Sequence, residues 1–560
     1  MISDNVQRWL ERDPDPNTQA ELTALLKTND QNEIALRFSG RLAFGTAGLR
    51  GVIGAGPMRM NRLVVRETSA GLGNYLLKNV KDAATRGVVV GYDGRILSLE
   101  FAQDTARVLA ALGIKVYLSP NLVSTPVTAY AVTRLNAAAG VMVTASHNPP
   151  EYNGYKVYWG NGAQIIPPHD TGIAACVNDA AANLIPWCDE SPLIESFPTD
   201  LVDSYMKGVR TLSIHGAEGR DTLCVSYTPM HGVGAEPTLR ALAEAGFKHV
   251  FPVLEQQEPD GHFPTVRFPN PEEPGAMDLV VKYARDNNAD LAIANDPDAD
   301  RLAVAARDSN GEYQMLRGDQ IGALLGWDRL KYARAHKAHV AVATTIVSSQ
   351  LLGEMADSMD ATYFETLTGF KWIANAALAN PNVTFAFGYE EALGYTVGEL
   401  VRDKDGVSAA VMFCEMAAAL KVAGKTVLDE LDSIYREFGV YLTGQHALKY
   451  TADDTVLRGL TDRLRAAPPT SVGGLAVLSY TDLRTGVRRT ATGTEAVDLP
   501  KSDVLIFRLE KGARIIVRPS GTEPKIKFYY EVRQAVDGDL KSAKDEAQLQ
   551  LDRLMSAPLD

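Results

Sequence analysis

Three stretches of this chain of 560 residues carry side chains that could do chemistry together. The first is Thr144-Ala145-Ser146-His147-Asn148. It follows the apolar run Val141-Met142-Val143 and precedes Pro149-Pro150. The β-branched run predicts a buried strand, and proline ends it. A hydroxyl is then displayed at a strand's carboxyl end, where open α/β sheets place ligands. A lone serine there could equally cap a polar loop. His147 adds little, because sequence neighbours rarely form a nucleophile–base pair. Asn153-Gly154 predicts a tight turn, leading to a second strand, 155–159, that carries Lys156.

The second stretch, Asn295-Asp296-Pro297-Asp298-Ala299-Asp300-Arg301, directly follows the apolar run 291–294. Three carboxylates at alternate positions can converge on one hard cation. An EF-hand loop needs Gly at its sixth position and Glu at its twelfth, and here those are Arg301 and Arg307, so that motif is excluded. Without a cation the carboxylates would repel one another. Mg²⁺ suits a site that also takes phosphate, since it keeps positions open for phosphoryl oxygens.

The third stretch is Arg518-Pro519-Ser520-Gly521-Thr522-Glu523-Pro524-Lys525. A bidentate guanidinium, two hydroxyls and a glycine have the composition of a phosphate clamp, though turns use the same residues. Further loops are weaker signals. Gly388-Tyr389-Glu390-Glu391-Ala392-Leu393-Gly394 offers paired acceptors for sugar hydroxyls. Arg402-Asp403-Lys404-Asp405-Gly406 offers a lysine that could move a proton. Thr366 to Lys371, TLTGFK, is a loop of the same kind. Residues 44–51, FGTAGLRG, present Arg50 among small residues, as a close phosphate contact requires.

The elements that must hold these loops follow from periodicity. Thr18 and Glu21 fit a capping box in a helical lead-in. Strand 88–90, an amphipathic helix with Phe101, Val108, Leu109 and Leu112 on one face, and strand 115–118 precede the serine strand. That alternation predicts a mostly parallel sheet. The pattern recurs across 223–294 and again across 319–387, a repeat of topology. The last 120 residues change character: 504–508 and 513–517 alternate around Lys511-Gly512, a hairpin signal, and a helix over 539–555 closes the chain. The fold class expected is α/β. Three related α/β domains with mixed, mostly parallel sheets (1–205, 206–316, 317–438) and a C-terminal antiparallel α+β domain (439–560) surround one central cleft.

Bulk properties narrow the partners. A chain this long needs several cores. The formal charge of -13 disfavours nucleic acid, and an anionic substrate needs local basic pockets. Four scattered cysteines lack metal spacing, the pattern of reduced thiols in a cytoplasmic protein. The polar, acidic N-terminus predicts no signal peptide, and no apolar run reaches membrane-spanning length.

Taken together, TASHNP, DPDADR, GYEEALG and RPSGTEP, with GTAGLRG and GYDGR, resemble the motifs of the α-D-phosphohexomutase superfamily, and the likeness runs from about Phe44 to the end. The resemblance implies that Ser146 carries a phosphoryl group and joins Asp296, Asp298 and Asp300 around Mg²⁺. It implies that Arg50, Arg301, Lys156 and His147 serve the phosphoserine and that Lys404 is the acid/base. It also implies that Thr368, Gly369, Lys371, Glu390 and Glu391 take the sugar, while Arg518, Ser520, Gly521, Thr522 and Lys527 take its phosphate. A sugar 1,6-bisphosphate would prime the enzyme. The expected substrates are small sugar phosphates, and the expected form is a monomer or homodimer. Ala392 departs from the serine that many members carry, which puts hexose preference in question. Glucose 1-phosphate is the expected substrate, with mannose and pentose phosphates as alternatives. An Asp-nucleophile phosphatase built on Asp296 would leave Ser146 unused. A non-catalytic sugar-phosphate binder would form no bisphosphate.

Overall fold

Val88, Val89 and Val90 have no polar residue between them, so a strand made of them must be covered on both faces. In the computed structural model all three are fully buried. The structure describes every residue except 1, 44–47, 452–453, 521–524 and 560. The chain forms two compact units, one of Met1–Leu316 with Ala392–Gly424, the other of Arg317–Glu391 with Lys425–Asp560.

The first unit contains two mixed sheets. One is built from β1 (Leu49–Val52), β2 (Val88–Tyr92), β3 (Val116–Leu118), β4 (Ala139–Val143), β5 (Tyr152–Trp159) and β6 (Ile194–Ser196), in the order β1-β5-β4-β2-β3-β6. The β4-β2-β3-β6 part is parallel, and β5 is antiparallel to both β4 and β1. The other sheet uses β7 (Cys224–Thr228), β8 (His249–Pro252), β9 (Leu291–Ala294), β10 (Ala303–Arg307) and β11 (Tyr313–Met315), in the order β11-β10-β9-β7-β8. Helix Gly406–Val422, capped by the Asp405 carboxylate, packs on helix Ala235–Glu244 and so keeps residues 392–424 in this unit.

The second unit carries β12 (Val340–Thr345), β13 (Thr362–Thr366) and β14 (Thr384–Glu390), parallel in the order β13-β12-β14. Its antiparallel sheet runs from Val440–Lys449 through Lys525–Gln534, Arg514–Pro519 and Leu505–Leu509 to Leu475–Asp482 and two short strands beyond. The expected hairpin around Lys511-Gly512 is present, with Leu505 opposite Val517.

The repeat is explicit in the strand order. In β4-β2-β3, β9-β7-β8 and β14-β12-β13 the third strand of each series lies on the same side of the first. Ser146, Asp296 and Glu390 each sit at the carboxyl end of that third strand, or just beyond it.

Three local expectations are corrected. Asn153-Gly154 is not a turn but lies inside β5. The buried Asn153 amide donates to Ile96 O and Ser98 Oγ, and a Cβ on Gly154 would meet the carbonyls of Thr144 and Leu49 at 2.6 and 2.7 Å. Glycine is there for close strand approach. Helix Pro16–Thr28 is capped by Asp15 rather than Thr18, because Pro16 takes the first helical position. Glu390 ends β14 instead of standing in a loop. Among the described residues no single helix is long and apolar enough to cross a membrane.

Candidate active site

The serine loop is held in an uncommon backbone state. Ser146 has φ 52°, the left-handed region that a non-glycine residue enters at a cost of about 1–2 kcal/mol. Surrounding groups enforce it. Thr144 Oγ1 accepts from Ser146 N–H at 2.8 Å, and Arg95 donates to the carbonyls of Ser146, Asn148, Pro149 and Tyr152. Strain at a residue so fixed points to function. The buried Ser146 Oγ donates to Asp296 Oδ2 at 2.7 Å and lies 3.2 Å from His147 Nδ1. Burial, then Arg301 and Arg50, pushes His147 well below the usual histidine range, so its imidazole is neutral. Arg50 reaches the loop through Asn148 Oδ1 at 2.8 Å.

The aspartates converge as their spacing predicts. Ala299 turns through φ 58°, and ligand atoms of Asp296, Asp298 and Asp300 all lie within 4.8 Å of one another. All three side chains are fully buried. Lys156, projecting from β5, places Nζ at 2.6 Å from Asp298 Oδ2 and 2.7 Å from Asp300 Oδ2. Lys404 Nζ adds a contact to Asp300 Oδ2 at 3.2 Å and to Asp403 Oδ1 at 3.4 Å. Arg301 Nε stands 3.8 Å from Asp296 and 3.9 Å from Asp300. Burial, then Asp298 and Asp300, pushes Asp296 well above the ordinary carboxylate range. Burial opposes ionisation of Asp300 too, but Lys156, Lys404 and Arg301 outweigh it and hold Asp300 below that range.

The donor set fits a divalent cation. Asp298 Oδ1 and Asp300 Oδ1 are buried without a hydrogen-bond partner among the described residues. An orphaned buried carboxylate oxygen costs about 1–3 kcal/mol or more, which an oxygen-seeking cation would recover. Asp296, Asp298, Asp300 and Ser146 Oγ would be its protein ligands.

Several residues that build this site were not legible in the sequence as site residues. Thr125 donates to Asp298 Oδ2 at 2.6 Å, and Tyr158 and Gln164 fix Asp403 at 2.8 and 2.7 Å. Gly394 makes room for Lys404, whose Cδ would lie 2.2 Å from an added Cβ. Arg95 had a signal in its glycine-framed GYDGR loop. Thr125 had none.

The second unit collects the residues expected to bind the sugar and its phosphate. Gly369, at φ 116°, donates its N–H to Glu390 Oε1 at 2.8 Å. Thr368 Oγ1 is buried without a partner among the described residues, and Lys371 is buried one residue into helix Phe370–Ala379. Arg518 and Lys527 are cross-strand neighbours. Ser520 N–H donates to Lys525 O at 2.9 Å, while Gly521 and Thr522 lie outside the described residues. Tyr529 links the two groups, because its hydroxyl hydrogen-bonds Arg518 and feels Glu391 and Glu390.

Burial, then Glu390 and Asp319, raises the half-buried Glu391 carboxyl to about 7 from its ordinary 4.5. Between those values the folded chain keeps a proton that the unfolded chain has released. Stability from this group is therefore full below about pH 4.5 and is lost as pH rises through about 7. Chemical denaturation across pH 4.5–7.5 should show a shallower decline for Glu391→Gln than for the wild type. Identical profiles would refute the raised carboxyl.

Comparison with known proteins agrees with this architecture. Models of the phosphoglucomutase/phosphomannomutase α/β/α domains I, II and III match residues 41–183, 203–311 and 317–438, and that of the C-terminal domain matches 482–540. A probable phosphomannomutase of Haemophilus influenzae is 44% identical over 85% of this chain and 93% of its own length. A probable phosphoribomutase of Schizosaccharomyces pombe is 39% identical over 98% of this chain and 97% of its own. The phosphopentomutase of Homo sapiens is 35% identical over 99% and 95%. Among solved structures, a Thermus thermophilus protein assigned as a phosphomannomutase shares the fold, with TM-score 0.68 and 24% identity over 92% of this chain and 99% of its own.

Proposed function

This chain belongs to the α-D-phosphohexomutase superfamily and is an intramolecular phosphotransferase of the isomerase class; on that premise we propose that its preferred sugar is a pentose, moved between its 1- and 5-phosphates through a phosphoserine at Ser146. The relatives named for phosphoribose and phosphopentose, spanning nearly the whole chain, support a pentose over the glucose expected from sequence. Ala392, which offers no hydroxyl to a hexose, supports it too.

The observation that carries the phosphoserine is the strained, buried Ser146 hydroxyl at 2.7 Å from the aspartate cluster. In the first half-reaction the phosphoryl group leaves Ser146 Oγ for the free sugar hydroxyl. The P–O bond to serine breaks, a P–O bond to sugar forms, and the hydroxyl proton ends on Ser146 Oγ. The second half-reaction reverses this with the sugar's other phosphate, regenerating phosphoserine. A sugar bisphosphate is the intermediate and also the primer. Mg²⁺ on the three aspartates would neutralise charge on the phosphoryl group in flight. Lys156 holds Asp298 and Asp300 in place, Arg301 and Arg50 face the phosphoryl oxygens, and Lys404 moves the proton. Neutral His147 accepts from or donates to Ser146 Oγ. Glu390, Glu391, Thr368, Gly369 and Lys371 bind the sugar hydroxyls. Arg518, Ser520, Gly521, Thr522 and Lys527 hold the non-reacting phosphate. Domain bounds at 205, 316 and 438 belong to the same reading, supported by the third family segment, which spans 317–438.

Side-by-side turnover of ribose 1-phosphate, glucose 1-phosphate and mannose 1-phosphate tests the preference. We expect kcat/KM for the pentose to exceed the hexoses by about 10-fold or more, the scale of one buried hydroxyl contact or its lack. A glucose preference would restore the expectation from sequence. Net phosphate release without isomerisation would instead support a phosphatase.

A further inference from the structure

The turn after β12 contains a serine that the proposed mechanism does not use. Ser348 is fully buried. Its hydroxyl grips Glu391 at two points, donating to the carboxylate Oε2 at 3.0 Å and accepting from the Glu391 backbone N–H at 3.1 Å. Thr345 Oγ1 shares a 2.9 Å bond with Ser348 Oγ and reaches Glu391 Oε2 at 3.5 Å. One hydroxyl thus contacts both the backbone N–H and the carboxylate of Glu391.

The turn itself is held from the C-terminal sheet. Arg514 and Glu531 are cross-strand partners, both buried. Arg514 donates Nε to Glu531 Oε2 at 2.7 Å, Nη1 to Ile346 O at 2.9 Å and Nη2 to Ser348 O. Glu531 Oε1 accepts from Ser349 Oγ at 2.6 Å and from Gln350 N–H at 2.9 Å. Most of the contacts this charged pair makes with the turn go to its backbone or to a serine, and Gln350 Nε2 adds one to Glu531 Oε2 at 3.0 Å. A buried ion pair of this kind is weak evidence for stability, and fixing one conformation is its better-attested use.

We propose that Ser348, clamped by Arg514 and Glu531 of the C-terminal sheet, is a positioning residue that sets the Glu391 carboxylate for sugar selection. The strand bearing Arg514 of the clamp, Arg514–Pro519, also bears Arg518, and its neighbour Lys525–Gln534 bears Glu531 and Lys527, so one strand pair references both the sugar acid and the phosphate arginine. Because residue 392 supplies no hydroxyl, the placement of Glu390 and Glu391 decides how well a sugar is gripped. Gly369 N–H fixes Glu390, and Ser348 fixes Glu391.

The proposal rests on the mutase function proposed above and on Glu391 meeting the sugar. The test is steady-state kinetics of Ser348→Ala and Ser348→Thr with ribose 1-phosphate and glucose 1-phosphate. In S348A we expect KM for the pentose to rise about 10-fold, the scale of one sugar hydrogen bond lost when Glu391 is no longer held in place. The pentose-to-glucose ratio of kcat/KM should shrink, while kcat changes by no more than about twofold. S348T keeps the hydroxyl and should restore KM to within about threefold. Arg514→Lys keeps the charge but cannot hold both carbonyls, and should shift KM in the same direction by less. Unchanged KM and selectivity in S348A would overturn the proposal, as would equal loss of kcat and of kcat/KM with no rescue by threonine. A wild type inactive on every sugar phosphate would instead sink the mutase assignment, so the two failures are distinguishable.

Discussion

On the proposed phosphoserine route, Ser146→Ala is expected to remove turnover altogether, a fall of at least about 10⁴-fold, while the protein stays folded. The size follows from the chemistry. Phosphate esters transfer their group extremely slowly without a carrier and electrostatic help, and losing the covalent carrier removes the path rather than lowering its efficiency. The structural cost is small by comparison. Only the bonds of Ser146 Oγ to Asp296 and to His147 are lost, worth about 1 kcal/mol net apiece, and the left-handed backbone is no more strained for alanine than for serine. Two measurements check this. Isomerase activity should be undetectable, and intact mass after incubation with a sugar bisphosphate should show a phosphoryl adduct on the wild type alone. Retained activity in the variant would rule out Ser146 as the carrier.

Lys156→Met is expected to destabilise the metal-free protein by about 3–5 kcal/mol. Lys156 Nζ is the shared partner of Asp298 and Asp300, and its removal leaves two buried carboxylates short of their nearest cation. Methionine fills similar space, so the loss is electrostatic rather than a cavity. The sign with pH follows. Burial opposes the charged forms of Asp298 and Asp300, yet Lys156, aided by Thr125 at Asp298 and by Lys404 and Arg301 at Asp300, holds both below the ordinary 3.8. That contribution is present above about pH 4 and fades as pH falls, so the gap between variant and wild type should be widest near neutrality and close on acidification. Mg²⁺ should stabilise the variant more than the wild type, because it supplies the positive charge the lysine no longer gives. Urea denaturation with and without Mg²⁺ measures this. A variant as stable as the wild type, or one indifferent to Mg²⁺, would show that Lys156 does not neutralise the triad.

What the sequence by itself determined is what local chemistry can write. A short apolar run followed by a break predicts a strand with something displayed at its end, and β4, β9 and β14 each carry such a run. Alternate aspartates in a loop with proline and alanine converge because their spacing is set within seven residues, so the triad was readable before any fold existed. Ser146, Lys156 and Lys404 were legible as types in their motifs. What only the tertiary structure decided is which of these meet. Lys156 and Lys404 are separated by 248 positions in the chain, yet both close on Asp300, because β5 and the segment before helix Gly406–Val422 bring them to one buried point. Asn153-Gly154 looked like a turn, since local preference favours one, until β1 claimed the edge of β5 and required a residue without a side chain there. Arg95 had only its glycine-framed loop to mark it, and Thr125 and Ser348 carry no local mark at all. Their roles arise from backbone carbonyls and carboxylates supplied by distant strands, and hydrogen bonds to such groups leave no pattern in a single linear sequence.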